Sequence, residues 1–162
     1  TDEEIKQGMA SFRGVDRRFD FKIKTDKLVF LSDYAHHPAE IAQSVTSIRE
    51  LYKDKKITAV FQPHLYTRTK DFYKEFADSL SLLDEVILTE IYPAREQPIP
   101  GVSSRLIYDN LRPGIEKCIC KKEDILNLLS EKPIEVLIVL GAGDLDNYVP
   151  SITQLLEQRA NS

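Results

Sequence analysis

The sequence predicts an α/β fold: a three-layer, Rossmann-like domain with a mostly parallel sheet of about six strands, one antiparallel edge strand and flanking helices. Three observations carry that prediction. Short apolar runs alternate with amphipathic stretches, the order that builds a parallel sheet with helical crossovers. The inner apolar runs are nearly continuous, which suits strands covered on both faces. A chain of 162 residues with 42% apolar side chains makes one domain of ordinary size that can bury a core unaided.

Taken in order, Asp2 to Ala10 reads as a short helix. Phe19 to Ile23 and Leu28 to Leu31 suit strands, and Thr25-Asp26 between them suits a turn, so a hairpin is expected at the start of the sheet. Four more strands are expected at Ile57 to Phe61, Val86 to Thr89, Ile115 to Cys120 and Val136 to Leu140. Between them Ile41, Val45, Ile48 and Tyr52 recur at helical spacing, as do Phe72, Phe76, Leu80 and Leu83. Shorter helices are expected at Ser104 to Leu111 and Ile125 to Ser130. A last one runs from Tyr148 to Arg159, with Pro150 tolerated in its first turn.

Charge narrows the partners. The 22 basic and 26 acidic side chains are scattered rather than blocked, so neither nucleic acid nor a membrane surface is indicated. No apolar run approaches the roughly 20 residues that a bilayer needs. The opening Thr1-Asp2-Glu3-Glu4 lacks the layout of a signal peptide, and a cytoplasmic location is expected. Cys118 and Cys120 are expected to be reduced, mostly buried thiols pointing to opposite faces of a strand.

In an open parallel sheet, ligands bind beyond the carboxyl ends of the strands. Four polar segments are expected there. Ser32-Asp33-Tyr34-Ala35-His36-His37-Pro38 leads into a helix, with Pro38 at its first position and Glu40 in its first turn. Gln62-Pro63-His64-Leu65-Tyr66-Thr67-Arg68-Thr69 is dense in hydrogen-bond donors. Glu90 to Gly101 forms a long loop, and Gly141-Ala142-Gly143-Asp144 leaves backbone amides open to a ligand. The plainer explanation of His36-His37 is a helix cap in solvent. No metal site is expected, because no third ligand stands at a familiar spacing. None of the six glycines precedes a lysine, so the phosphate loop ending in Gly-Lys-Ser/Thr is missing; Gly-x-Ser-x-Gly and His-Glu-x-x-His are missing too.

Over nearly the whole chain these residues resemble the Mur ligases of peptidoglycan synthesis. The resemblance runs from Phe12-Arg13-Gly14-Val15-Asp16-Arg17-Arg18-Phe19 through Asp33-Tyr34-Ala35-His36-His37-Pro38 and Gln62 to Thr69, then Pro98-Ile99-Pro100-Gly101 and Gly141 to Asp144. Asp-Tyr-x-His-x-Pro is shared by several members. Gln-Pro-His-x-Tyr-Thr-Arg-Thr is more specific to the branch that joins L-alanine to UDP-N-acetylmuramate. The branch that recycles murein peptides is the nearest alternative, and a standalone small-molecule-binding α/β module is the reading from a different class.

The resemblance implies that residues 1–14 end a central ATPase domain and its linker, and that residues 15–162 form a carboxy-terminal, amino-acid-binding ligase domain, inactive alone. The implied reaction is ATP-dependent amide-bond formation through an acyl phosphate, with ATP and Mg2+ bound mainly by the central domain against which this one packs. Asp33 would accept hydrogen bonds from the ATP ribose. His36 and Arg68 would be catalytic, with Tyr34 beside the acyl phosphate or the incoming amine. Arg68, His64 and Arg105 would bind an anionic group, for which a guanidinium is well suited. His37 and Tyr66 would face substrate, Tyr92 and Glu96 would position the ammonium group, and Gly141, Gly143 and Asp144 would floor the pocket. Arg17 and Arg18 would be hinge or interface residues.

Overall fold

The computed structural model describes residues 1–4 and 18–162. Residues 2–4 are helical. Residues 5–10 of the expected opening helix, residues 12–17 of the first motif and the expected boundary at 14/15 lie outside the described residues.

The hairpin is present. Strands β1 (Asp20–Lys24) and β2 (Val29–Asp33) pair antiparallel, and Thr25 closes the turn by donating from its amide and hydroxyl to Leu28 O, both at 3.0 Å. The chain then alternates: α1 (Pro38–Leu51), β3 (Ile57–Phe61), α2 (Tyr66–Leu80), β4 (Glu85–Leu88), α3 (Arg105–Asn110), β5 (Glu116–Ile119), α4 (Ile125–Glu131), β6 (Val136–Leu140) and α5 (Val149–Ala160). Short 3-10 turns at Lys122–Asp124 and Asp144–Tyr148 lead into α4 and α5. The strands lie in the order β1-β2-β6-β3-β4-β5, and every pair except β1 with β2 is parallel.

Period-two alternation along the strands divides the core between two faces. Val29, Leu31, Ala59, Phe61, Val86 and Ile138 pack with Ile41, Val45, Ile48, Phe76 and Leu80, under α1, α2 and α3. Phe30, Val60, Ile87, Leu137 and Val139 pack with Ile125, Leu129, Val149, Ile152 and Leu156, under α4 and α5. Every residue of β3, β4 and β6 is buried, as continuous apolar runs predict. Cys118 and Cys120 correct one expectation. Residues two apart on an extended chain share a face, and both thiols pack, free and partly buried, against the second cluster.

Glu85 is the exception to the apolar core. It starts β4 at 2% exposure, and Lys132 Nζ (2.5 Å), Lys56 Nζ (3.3 Å) and Thr58 Oγ1 (3.1 Å) surround its carboxylate. Burial alone would raise its pKa, but the hydrogen bond and charge of Lys132, with Lys56, hold it below the usual carboxylate value. A depressed folded pKa stabilises above the unfolded value of about 4.3, and that contribution is lost as pH falls through the folded pKa. Urea unfolding should therefore show stability declining from about pH 5 to pH 3. Lys132→Ala should cost about 1–3 kcal/mol near pH 7, with Lys56 still beside Glu85, and flatten that acid limb.

Candidate functional site

The four polar segments meet at the carboxyl ends of the strands. Asp33 ends β2, and its carboxylate organises the first turn: Oδ1 accepts from Ala35 N (2.8 Å), while Oδ2 accepts from Ser44 Oγ (2.9 Å) and Phe19 N (3.2 Å). These bonds fix the wall of a groove of about 320 Å³, lined by Arg18, Phe19, Asp33, Tyr34, Ser44 and Ser47 among others. His37 is the N-cap of α1. Its Nδ1 accepts from Ala39 N (3.4 Å), and Glu40 Oε2 reaches back to the amides of His37 (3.1 Å) and His36 (3.0 Å). The cap explanation therefore describes His37, whose ring also meets Phe72 edge-on at 5.1 Å. His36 turns to the other side, its Nδ1 3.0 Å from Tyr34 O.

The second segment brings Arg68 into the first turn of α2, while His64 precedes the N-cap Leu65, outside the helix. Arg68 Nη1 donates to His64 Nδ1 at 3.1 Å. The residue after His64, Leu65, has φ of 71°, a left-handed conformation that side chains disfavour. Its amide donates to Tyr92 O (2.9 Å), and its carbonyl accepts from Thr69 N and Oγ1. His64 stacks on Tyr92 (centroids 5.6 Å, planes 19° apart) and meets His36 edge-on at 5.9 Å; His36 in turn meets Tyr34 at 5.1 Å. Tyr34, His36, His64 and Tyr92 thus form one aromatic row with Arg68 attached. Burial, then the charges of Arg68 and His36, push the His64 pKa down against the weaker pull of Glu96.

The long loop is bound to this row rather than free. Tyr92 N donates to Pro63 O (2.8 Å), and Glu96 accepts from Thr67 N (3.1 Å) and the Thr67 hydroxyl at the start of α2. That hydroxyl bond first, then the backbone bonds, lower the Glu96 pKa. Helix α2 has no side-chain cap of its own, so Glu96 supplies one from across the crevice.

After β6 the glycine turn packs against Gln62, which is 1% exposed. Gln62 Nε2 donates to Asp144 Oδ1 (2.8 Å), and its Oε1 accepts from Leu145 N (3.0 Å); Lys122 Nζ takes the other Asp144 oxygen. Burial opposes ionisation of Asp144, but the bonds from Lys122 and Gln62 outweigh it and lower its pKa. Gly141 has φ of 138°, and a Cβ there would stand 2.9 Å from Gln62 O.

Two residues fall elsewhere. Tyr66 and Arg105 line a separate groove of about 420 Å³ with Glu90, Ile91 and Ser103. Arg105 pairs with Asp109 (3.2 Å) and lies over Tyr108 at 4.7 Å. Among the described residues, no group of three or more His, Cys, Asp or Glu side chains is arranged to hold a metal ion. No helix among them is long and apolar enough to cross a membrane. Sequence reasoning assigned no role to Gln62, Ser44, Thr67 or Lys122. Gln62 and Thr67 were marked only as part of a segment dense in hydrogen-bond donors, and Ser44 carried a signal as a polar residue on the buried stripe of Ile41, Val45 and Ile48.

Residues 17–144 match the model of a protein family described as Mur ligase, glutamate ligase domain. The chain belongs to the Mur ligase family. Over 159 residues, 98% of the chain, it is 79% identical to UDP-N-acetylmuramate–L-alanine ligase of Phocaeicola vulgatus, and covers 35% of that protein. The chain thus spans about a third of the length of the curated relatives it matches. The crystal structure of the UDP-N-acetylmuramate-alanine ligase of Thermotoga maritima superposes with a TM-score of 0.75 at 27% identity, over 94% of this chain and 33% of that one. A murein peptide ligase of Psychrobacter arcticus gives 0.70 at 16% identity, over 93% of this chain and 32% of that one, a likeness of fold.

Close packing behind the row makes Gly143 a sensitive position in this Mur ligase domain. A Cβ there would stand 2.8 Å from Tyr92 Cβ, and against the Gln62 carboxamide. Gly143→Ala should lower stability by about 1–3 kcal/mol, measured by urea unfolding, and should displace the Tyr92 and His64 ring resonances in NMR spectra.

Proposed function

We propose that the chain is the carboxy-terminal domain of an ATP-dependent ligase that forms the amide bond between L-alanine and UDP-N-acetylmuramate. The observation that carries this reading is the Arg68–His64 pair beside His36: the pair comes from the motif that resembles the alanine-adding branch, and His36 from one that several Mur ligases share. The 79% identity with the Phocaeicola vulgatus ligase supports it over the murein-peptide and standalone-module readings.

In this reading residues 1–14 belong to the end of a central ATPase domain and its linker, and residues 15–162 close over that domain in the cytoplasm. The central domain holds Mg2+ and the ATP phosphates. The Asp33 groove suits the ribose end of ATP: two carboxylate oxygens accept three protein bonds and keep acceptor capacity for a hydroxyl, with Phe19 and Tyr34 beside them. ATP supplies the phosphoryl group that activates the muramoyl carboxylate.

Arg68 binds an anion, the alanine carboxylate or the phosphorylated intermediate, because among the described residues its guanidinium makes one bond, to the His64 ring nitrogen. His36 and Tyr34 lie beside the reacting amine and acyl group, with Tyr92 as the far wall. Gly141 and Gly143 floor the pocket with backbone. Glu96 and Asp144 act through α2 and Gln62, since Glu96 caps α2 through Thr67 and Asp144 is held between Gln62 and Lys122. His37 caps α1, while Tyr66 and Arg105 serve the neighbouring groove.

In the longer enzyme, Arg68→Ala should reduce kcat/KM for alanine by about 100-fold, near 2.7 kcal/mol, with the melting temperature little changed. Unchanged kinetics would sink the assignment. The 162-residue chain alone should neither hydrolyse ATP nor join alanine to the sugar nucleotide; turnover by the purified chain above a no-protein control would refute the division of labour.

A further inference from the structure

We propose that the two crevice histidines are held in opposite tautomers, making His36 the acceptor of the proton that the attacking amine must lose and His64 a neutral N–H donor beside it. The catalytic half of this proposal rests on the ligase reading; the tautomers do not.

Hydrogen-bond partners dictate the assignment. His36 Nδ1 lies 3.0 Å from Tyr34 O and 3.4 Å from Glu40 Oε2. Both atoms are acceptors only, so Nδ1 carries the hydrogen and Nε2 of the neutral ring keeps its lone pair. His64 Nδ1 lies 3.1 Å from Arg68 Nη1, a donor only, so this nitrogen keeps its lone pair and Nε2 carries the hydrogen. Among the described residues neither Nε2 atom has a protein partner.

The two rings also respond differently to a proton. Protonating His36 at Nε2 leaves the Nδ1–H bond to Tyr34 O intact and places a cation beside Glu40. Protonating His64 puts a hydrogen on Nδ1 against the Arg68 guanidinium. Of the charged groups around it, Arg68 and His36 oppose that proton and Glu96 favours it, and burial opposes it further. His36 therefore cycles, while His64 stays neutral between it and Arg68.

The step balances as follows. The alanine nitrogen bonds to the activated carbonyl carbon, and the π pair becomes an oxyanion. His36 Nε2 takes a proton from the nitrogen. The oxyanion re-forms the carbonyl as the carbon–oxygen bond to phosphate breaks, releasing phosphate. The His64 Nε2–H is available to the oxyanion or to the leaving phosphate, where a fixed donor helps most.

The chain contains three histidines, so imidazole tautomers can be read directly. Long-range 1H–15N correlation on the histidine-labelled 162-residue chain near pH 8.5, above the ordinary imidazole pKa of about 6.5, should show His36 protonated at Nδ1. His64 and His37 should be protonated at Nε2, with His36→Gln identifying the signal. An Nε2–H tautomer at His36, or an Nδ1–H tautomer at His64, overturns the proposal whatever the enzyme does.

In the full-length ligase, His36→Gln should lower kcat about 100-fold at pH 7.5, with the alanine KM changed by less than about threefold. The deficit should shrink toward pH 9.5 as hydroxide and free amine replace the lost base. A raised KM with kcat intact makes His36 a binding group and overturns the proton step. So does a deficit independent of pH. If the unmodified full-length protein joins no alanine to the sugar nucleotide, the ligase reading itself fails and takes the proton step with it. The tautomers would still stand or fall by the spectra.

Discussion

Strand β6 comes last in the chain yet lies between β2 and β3, and the site depends on that insertion. The registers of β2 and β3 against β6 both end at Leu140, opposite Asp33 and Phe61, so the three strands finish level. The chain leaving β6 must then pass between the two segments that carry the histidines. Gly141 N donates to Asp33 O on one side, and Gln62 N to Leu140 O on the other, both at 3.2 Å. A Cβ at Gly141 would stand 2.9 Å from Gln62 O, and one at Gly143 would meet Gln62 Oε1 and Tyr92 more closely still. The glycines therefore act first as the condition that lets His36 and His64 approach each other.

That approach carries an electrostatic cost, which the surroundings absorb in a particular way. Two imidazoles and a guanidinium share a small space, and three positive charges there would repel strongly. The structure avoids this by making one imidazole accept from the guanidinium, and by setting a carboxylate near each imidazole. Glu40 lies beside His36, while Glu96 faces His64 from the loop. Each carboxylate also completes a helix start, so the same two groups that set the local charge hold α1 and α2 in place.

The parallel sheet was legible because strands buried on both faces leave continuous apolar runs, and β3 and β6 match their expected bounds. The other strands were less so: β1 and β2 begin one residue later than expected, β2 runs on to Asp33, β4 is shifted one residue earlier, and β5 is shorter at both ends. An edge strand has one hydrogen-bonded neighbour, and its residues are less constrained by burial. The positions of His36, His64 and Arg68 at one end followed from the rule that ligands gather beyond the strands' carboxyl ends. Which side chain bonds which did not follow. Gln62 and Asp144 are 82 residues apart, and Thr67 and Glu96 are 29 apart; nothing local marks such pairs. Arg105 was grouped with Arg68 on the resemblance and on guanidinium chemistry, whereas helix α3 carries it to a different groove. The two cysteines were readable and misread, since period-two arithmetic already places both on one face.

Leu65 has a bearing on how such a domain changes under selection. Its left-handed backbone, at about 1–3 kcal/mol for a non-glycine residue, is imposed by bonds to Tyr92 O and from Thr69. The residue works like a loaded spring between the imidazole and the guanidinium. Because those bonds use the backbone of Leu65, glycine there would keep them and shed the strain, so a population selected for heat tolerance is free to drift to glycine at this residue without altering the aim of His64 and Arg68.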